Sequence, residues 1–234
     1  HSVSGSDMKS SSITKELEKE GIKVSCPQEA KNISDDLDLV IYSAAVTDEN
    51  PELIEARLKQ IRTLSRKEAL PIILGDKKNY CVAGAHGKST TTAILATILQ
   101  SSALIGAISK EFGSNFRYVD KTVAFEADES DASFLLSNPY CAIVTNAEPE
   151  HMEYYHYDYD KFYESYETFL SLAKKRVVNG EDKDIQKLKI EDATYLYPSK
   201  DIKNLCYTLK DGQPCTKFDL KDYGTFEVWG FGFH

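Results

Sequence analysis

No long cluster of lysine or arginine occurs in this chain, and acids outnumber bases by 37 to 28, for a formal net charge of −9. A nucleic-acid binder needs a basic patch or stripe, so no nucleic-acid partner is expected, and an anionic substrate would need positive charge supplied locally. No apolar run approaches the roughly 20 residues that span a bilayer, so no membrane segment is expected. There is no C-x-x-C pair. The five cysteines, Cys26, Cys81, Cys141, Cys206 and Cys215, are scattered and odd in number. They read as core thiols of a protein in a reducing cytoplasm, not as a disulfide scaffold or a zinc site. Internal repeats, low-complexity tracts and the guanine-reading N-K-x-D are also missing, the last of which argues against a nucleotide-controlled switch. Neither an initiator methionine nor a signal-peptide pattern appears at HSVSGSD, and VWGFGFH finishes no element, so a fragment is expected.

What is present is an alternation. The stretch TKELEKE (14–20) is a helical pattern stopped by Gly21, followed by the short strand IKVS. LDLVIYSAA (37–45) reads as a buried strand, and NPELIEARLKQ (50–60) as a helix with Asn50 as N-cap and Pro51 at its first position. ALPIIL and KKNYCVAG read as further strands, and TTTAILATILQ (90–100) as a helix. The segment SSALIGAISKEFGSNFRY is punctuated by glycine and reads as loop with short strands. Two apolar strands, TVAFEADESD (122–131) and YCAIVTNAEPEH (140–151), then run into polar ends. A tyrosine-rich helix with Phe162, Tyr166, Phe169, Leu170 and Ala173 on one face follows, then the strand RVVNG and short β segments. Strand alternating with helix predicts an α/β fold of parallel, doubly wound sheets. Its 234 residues allow two ordinary domains, and a boundary near Gly75 to Lys78 divides them into 1–78 and 79–234.

Four constellations carry chemistry. Gly84-Ala85-His86-Gly87-Lys88-Ser89-Thr90 lies between a strand and a helix and supplies the parts of a phosphate cradle. Its small residues let backbone N–H groups face an anion, a lysine reaches the β/γ-phosphates, a hydroxyl serves Mg²⁺, and a helix N-terminus stands behind. The strict G-x-x-x-x-G-K-[ST] spacing is not met, because Val82 stands at the first glycine position. A glycine turn with a surface lysine is the plainer alternative, and His86 could equally contact phosphate or only shape the turn. Glu126, Asp128, Glu129 and Asp131 follow a strand directly. Ligands of a parallel sheet bind beyond the carboxyl ends of its strands, which puts these acids on the rim of the phosphate loop, where one of them suits magnesium. His151 follows the next strand on that rim; a lone histidine is more often structural, and both readings stay open. In the first half, the strand ends V3-S-G-S-D7 and Y42-S-A-A45 suit the ribose and diphosphate of a nucleotide, although an ordinary loop fits them as well.

Taken in order, GAHGKSTTT, EADESDASFL and IVTNAEPEHMEYY resemble the motifs of the Mur ligases of peptidoglycan synthesis, and SGSD and YSAAVTDENPE resemble their first domain. The resemblance is greatest to the alanine-adding member and runs from about residue 3 to at least residue 170. It implies a Rossmann-like N-terminal unit that binds the UDP substrate, then a P-loop ATPase-like central domain. The implied activity is ATP-dependent carboxylate–amine ligation, with UDP-N-acetylmuramate and L-alanine as partners and ATP and Mg²⁺ as cofactors. The implied catalytic residues are Lys88, Glu126 and His151; Ser89, Glu126 and His151 are the implied metal-side residues. ATP binding falls to Gly84 through Thr90, and substrate binding to Ser6, Asp7, Ser43, Ala44, Asn115 and Ser130. The expected assembly is a monomer or weak homodimer.

This chain departs from the family pattern at Ala85 and Ser89, where threonine is usual, and at Glu150, where aspartate is usual. No G-x-G-G-x-G turn precedes His1, and residues 100–121 look short. The GFGFH ending resembles the G-x-H-N junction before a third, Rossmann-like domain. That C-terminal domain is expected to be absent, and the chain assayed alone is expected to give no alanine-dependent phosphate release. A murein-tripeptide recycling ligase or a folylpolyglutamate-type ligase is the nearest alternative, and a non-catalytic nucleotide-binding module a more distant one.

Overall fold

The computed structural model describes residues 1–119 and 121–230. It divides into two compact units, residues 1–73 and 74–234. The first unit holds strand β1 (Ser4–Ser6), helix α1 (Ser12–Lys19), β2 (Lys23–Ser25), β3 (Leu39–Tyr42), α2 (Pro51–Leu58), β4 (Arg62–Ser65) and α3 (Arg66–Leu74). Two parallel ladders form its sheets, β1 with β2 and β3 with β4. Local sequence sets the helix starts. Ser11 and Thr14 form a reciprocal capping box on α1, and the Asn50 side chain accepts the Glu52 and Leu53 N–H groups ahead of Pro51 on α2.

ALPIIL corrects the sequence reading: it is the second half of α3, with Pro71 inside the helix, and the strand of this region is β4. Ala69, Leu70 and Leu74 are buried while Ile72 and Ile73 are exposed. Burial therefore follows a helical period, and a short apolar run does not by itself separate strand from helix.

The second unit begins with β5 (Lys78–Ala83), α4 (Lys88–Leu99), β6 (Ser102–Ser109), β7 (Ser114–Arg117), β8 (Thr122–Glu126), β9 (Cys141–Val144), α5 (Tyr159–Leu172), β10 (Lys175–Asn179) and β11 (Thr194–Leu196). These strands make one seven-stranded sheet in the order β11-β10-β9-β5-β8-β6-β7, parallel throughout except for β7, which runs antiparallel to β6 at the edge. The stretch read as loop with short strands thus contributes an eight-residue strand and a hairpin partner. Its glycines fall at Gly106, inside β6, and Gly113, in the turn at φ 65°.

The central strand β5 explains its own composition. Covered on both faces, it leaves Cys81, Val82 and Ala83 with no exposed surface, as a near-continuous apolar run requires. Helix α5 buries Phe162, Tyr166, Phe169 and Leu170, and Phe134 meets Tyr166 edge-on and stacks on Phe169.

After α6 (Pro198–Asp201) come β12 (Ile202–Lys210), β13 (Gln213–Leu220) and β14 (Gly224–Trp229), a separate three-stranded antiparallel sheet. The short β segments expected there are long strands, turning with Asp211, Gly212, Asp222 and Gly224 in left-handed conformations. All five cysteines are free; Cys81, Cys141 and Cys215 are buried as expected, whereas Cys26 and Cys206 are exposed. Burial pushes the Cys81 thiol up to about 12, so it stays protonated. Among the described residues no helix is long and apolar enough to cross a membrane. The last four residues of the GFGFH ending lie outside the described residues.

Candidate active site

The phosphate loop leaves β5 at Ala83 and enters α4 at Lys88. Gly84 takes φ 138° and Gly87 takes φ 81°, a region that disfavours side chains. Gly84 is also the point of closest approach: a Cβ there would lie 2.3 Å from Thr145 Oγ1 and 2.9 Å from the Asn146 carbonyl oxygen. Gly87 is the N-cap of α4, and no side chain caps the helix. Its first-turn N–H groups are therefore left for an anion, with the helix dipole behind them.

The loop's lysine is held in place. Lys88 Nζ donates to the Gly84 carbonyl at 2.6 Å and to Glu129 Oε1 at 2.8 Å. Glu129 is 2% exposed, and its other oxygen, Oε2, has no hydrogen-bond partner. Burial raises this carboxyl above its ordinary value, while the hydrogen bond and charge of Lys88 pull it down. Tyr155 anchors the same turn by donating its hydroxyl to the Glu129 carbonyl at 2.6 Å.

Ser89 and Glu126 form the second pairing. Ser89 Oγ donates to Glu126 Oε1 at 2.9 Å, and the Gly106 N–H donates to Glu126 Oε2 at 2.8 Å. The ladder carries on past the strands, with the Ala127 N–H on the Val82 carbonyl and the Thr145 N–H on the Ala83 carbonyl. These bonds tie the loops after β8 and β9 to the end of β5, and so to the phosphate loop. A hydroxyl beside a carboxylate offers hard oxygen donors, and Mg²⁺ in nucleotide sites takes one or two of these plus phosphate oxygens and water. The pair therefore fits magnesium. Among the described residues no three His, Cys, Asp or Glu side chains converge on one point, so a closed all-protein cage is not what these residues build.

His151 stands on the loop after β9, exposed and at φ 52°. Of the implied metal-side trio, then, the contacts join Ser89 to Glu126, and His151 follows on the neighbouring loop. His86 is exposed, with its Nε2 3.6 Å from Glu148 and 3.5 Å from Glu150. Thr90 is exposed on the first turn of α4.

In the first unit, Ser6, Asp7 and Ser43 line one cavity of about 600 Å³. At its wall Glu52, 7% exposed, accepts from the Ser6 hydroxyl and from Asn32 Nδ2, the latter at 2.7 Å. Ala44 follows Ser43 in the same turn. The other two implied substrate residues belong to the second unit: Asn115 is exposed on the edge strand β7, and Ser130 lies in the turn after β8, its N–H on Asp128 Oδ1.

Three participants were not singled out from sequence: Glu129, Thr145 and Asn146. Glu129 was visible only as one of four acids after a strand. Thr145 and Asn146 carried the signal of polar residues directly following an apolar strand on the phosphate-loop rim.

The family described as "Mur ligase family, catalytic domain" matches residues 1–78. Along 100% of its length the chain is 55% identical to the UDP-N-acetylmuramate–L-alanine ligase of Campylobacter curvus, of which it covers 54%. It is 48% identical to the enzyme of that name from Helicobacter pylori, covering 51% of it. Among solved structures, the UDP-N-acetylmuramate-alanine ligase of Thermotoga maritima superposes with a TM-score of 0.80 at 27% identity, over 99% of this chain and 55% of that one. The chain thus spans about half the length of the curated relatives it matches. More than half of its residues are identical across its whole length to a ligase of this name, and its first 78 residues match the family's own description, so the chain carries a Mur ligase family domain.

Proposed function

We propose that this chain carries the ATP site and the UDP-substrate site of an ATP-dependent ligase that joins L-alanine to the lactyl carboxylate of UDP-N-acetylmuramate. The observation that carries the reading is one rim of one sheet bearing an uncapped helix N-terminus, the Lys88 ammonium and the Ser89–Glu126 pair. The relatives' names supply the substrates. In the first step a lactyl carboxylate oxygen attacks the γ-phosphorus of ATP and ADP leaves. In the second, the alanine amine attacks the acyl carbon and phosphate leaves, with one proton lost from nitrogen.

A carboxylate is a poor electrophile, and phosphorylation supplies the leaving group. Because an anion attacks an anion, positive charge at the γ-phosphoryl lowers the barrier, and Lys88 supplies it. Ser89 and Glu126 would hold magnesium, with His151 the third residue assigned to it, and the ion would supply neutralisation of phosphate oxygens. Glu126 is also the carboxylate assigned to orient the amine. Gly84 to Thr90 enclose the phosphates. Ser6, Asp7, Ser43 and Ala44 take the UDP portion of the substrate, and Asn115 and Ser130 are the positions of the second unit assigned to it. A reaction fed by ATP and a UDP-sugar belongs in the cytoplasm, and nothing in the chemistry requires more than a monomer or weak homodimer.

The test is phosphate release by a protein of the relatives' full length that carries these residues, with ATP, Mg²⁺ and UDP-N-acetylmuramate, comparing L-alanine with the tripeptide L-alanyl-γ-D-glutamyl-meso-diaminopimelate as acceptor. Release that depends on L-alanine is expected. Release that depends only on the tripeptide would transfer the assignment to a recycling ligase.

A further inference from the structure

The glycines do not shape the phosphate loop alone. Asn146, the second residue after β9, pairs with both backbone groups of one residue at the loop's tip, His86, and so with two successive peptide units. Its Oδ1 accepts the His86 N–H at 3.1 Å, and its Nδ2 donates to the His86 carbonyl at 2.8 Å. Thr145 Oγ1 donates to that same carbonyl at 2.7 Å. Three hydrogen bonds therefore fix one residue of the loop, and all of them come from the strand end beside it.

This matters because a peptide plane is two-faced. Rotated one way it offers an N–H to an anion, and rotated the other way it offers a carbonyl oxygen, which repels phosphate. With the His86 carbonyl held by two donors on the β9 side, that oxygen is engaged there and is not free to turn toward an anion. The His86 N–H is spent on Asn146 as well, so the anion is left to the uncapped start of α4 and to Lys88. Gly84 completes the arrangement, since only a residue without Cβ lets Thr145 come this close.

We infer that Asn146 is a positioning residue for ATP, which locks the two peptide units flanking His86 so that the His86 carbonyl does not face the triphosphate. Thr145 assists through its bond to the same carbonyl. The inference rests on the proposal that residues 84–90 hold ATP, and it adds to that proposal a residue outside the loop.

The experiment measures the affinity of the protein for ATP-Mg²⁺ and, separately, for UDP, together with thermal unfolding, in wild type, Asn146→Ala, Thr145→Val and Lys88→Ala. Asn146→Ala is expected to weaken ATP binding about tenfold or more, the worth of one or two hydrogen bonds. UDP affinity should stay within about twofold, whereas a merely structural residue would move both affinities with the melting temperature. Thr145→Val, nearly isosteric and lacking the hydroxyl that meets the His86 carbonyl, should weaken ATP binding about threefold. Should Asn146→Ala fail to fold, Thr145→Val decides. Unchanged ATP affinity in the Asn146 and Thr145 variants, with binding lost in Lys88→Ala, would overturn the inference and leave the ATP site standing. Unchanged affinity in Lys88→Ala would overturn both.

Discussion

Lys88 Nζ sits 2.8 Å from Glu129 Oε1, so the one lysine of the phosphate loop is paired with a carboxylate that is almost wholly buried. Such a pair adds little net stability over an apolar one, but removing one member strands the other's charge at a cost of about 3–5 kcal/mol. Glu129→Ala is therefore expected to destabilise the fold by about that much in urea unfolding, because the Lys88 ammonium would keep only the Gly84 carbonyl. A loss below about 1 kcal/mol would mean that water reaches Lys88 freely.

The same carboxyl has a pH signature. Burial raises the Glu129 carboxyl in the folded state above its ordinary 4.5, so across that interval the folded protein holds more protons at this site than the unfolded chain. By linkage, this group's contribution falls as pH rises from about 4.5 through the raised value. Glu129→Gln has no such proton to lose. The wild type should therefore lose stability relative to Glu129→Gln as pH is raised through that window, read from melting temperatures of both proteins. A constant difference would show that Lys88 cancels the effect of burial.

How much of this was legible in sequence depends on what each element needs to declare itself. The strand-to-helix passage from Tyr80 to Thr92 reads directly, because glycine, lysine and hydroxyls at fixed spacing have few other uses. The pairing of Ser89 with Glu126 required knowing that β8 lies beside β5, an adjacency that strand-ending acids only suggest. Glu129 was legible only as one of four acids and Asn146 only as a polar residue after a strand, since their partners, Lys88 and His86, are 41 and 60 residues away and the β5-β8 and β5-β9 ladders bring them together. ALPIIL misled in the other direction: an apolar hexad reads as a strand, yet the helical period of burial keeps it inside α3.

Phe134 links core to site. Fully buried, it stacks on Phe169 and meets Tyr166 edge-on, only five residues beyond Glu129. Phe134→Ala is expected to cost about 3–5 kcal/mol through lost burial and the cavity left behind. Because its N–H also donates to the Asp128 carbonyl at 3.0 Å, that loss should loosen the turn that carries Glu129 and weaken ATP binding as well. Phe134→Leu, which refills most of the space, should recover most of both. Recovery of stability without recovery of ATP affinity would show that the aromatic stack itself sets the turn.

Gly106 tests the magnesium side without replacing a proposed ligand. Its N–H holds Glu126 Oε2, and a Cβ at this position would lie 3.1 Å from Glu126 Oε1 and 3.3 Å from its Cδ. Gly106→Ala must therefore push the carboxylate a few tenths of an ångström, straining its 2.9 Å bond with Ser89 while leaving the strand's ladder intact. ATP binding titrated against Mg²⁺ should then need severalfold more magnesium at near-unchanged melting temperature. Ser89→Ala should raise the requirement further and Ser89→Thr should restore it, because threonine keeps the hydroxyl. If Gly106→Ala and Ser89→Ala bind ATP with the wild-type magnesium dependence, the Ser89–Glu126 pair does not hold the ion, and the metal lies elsewhere on the rim.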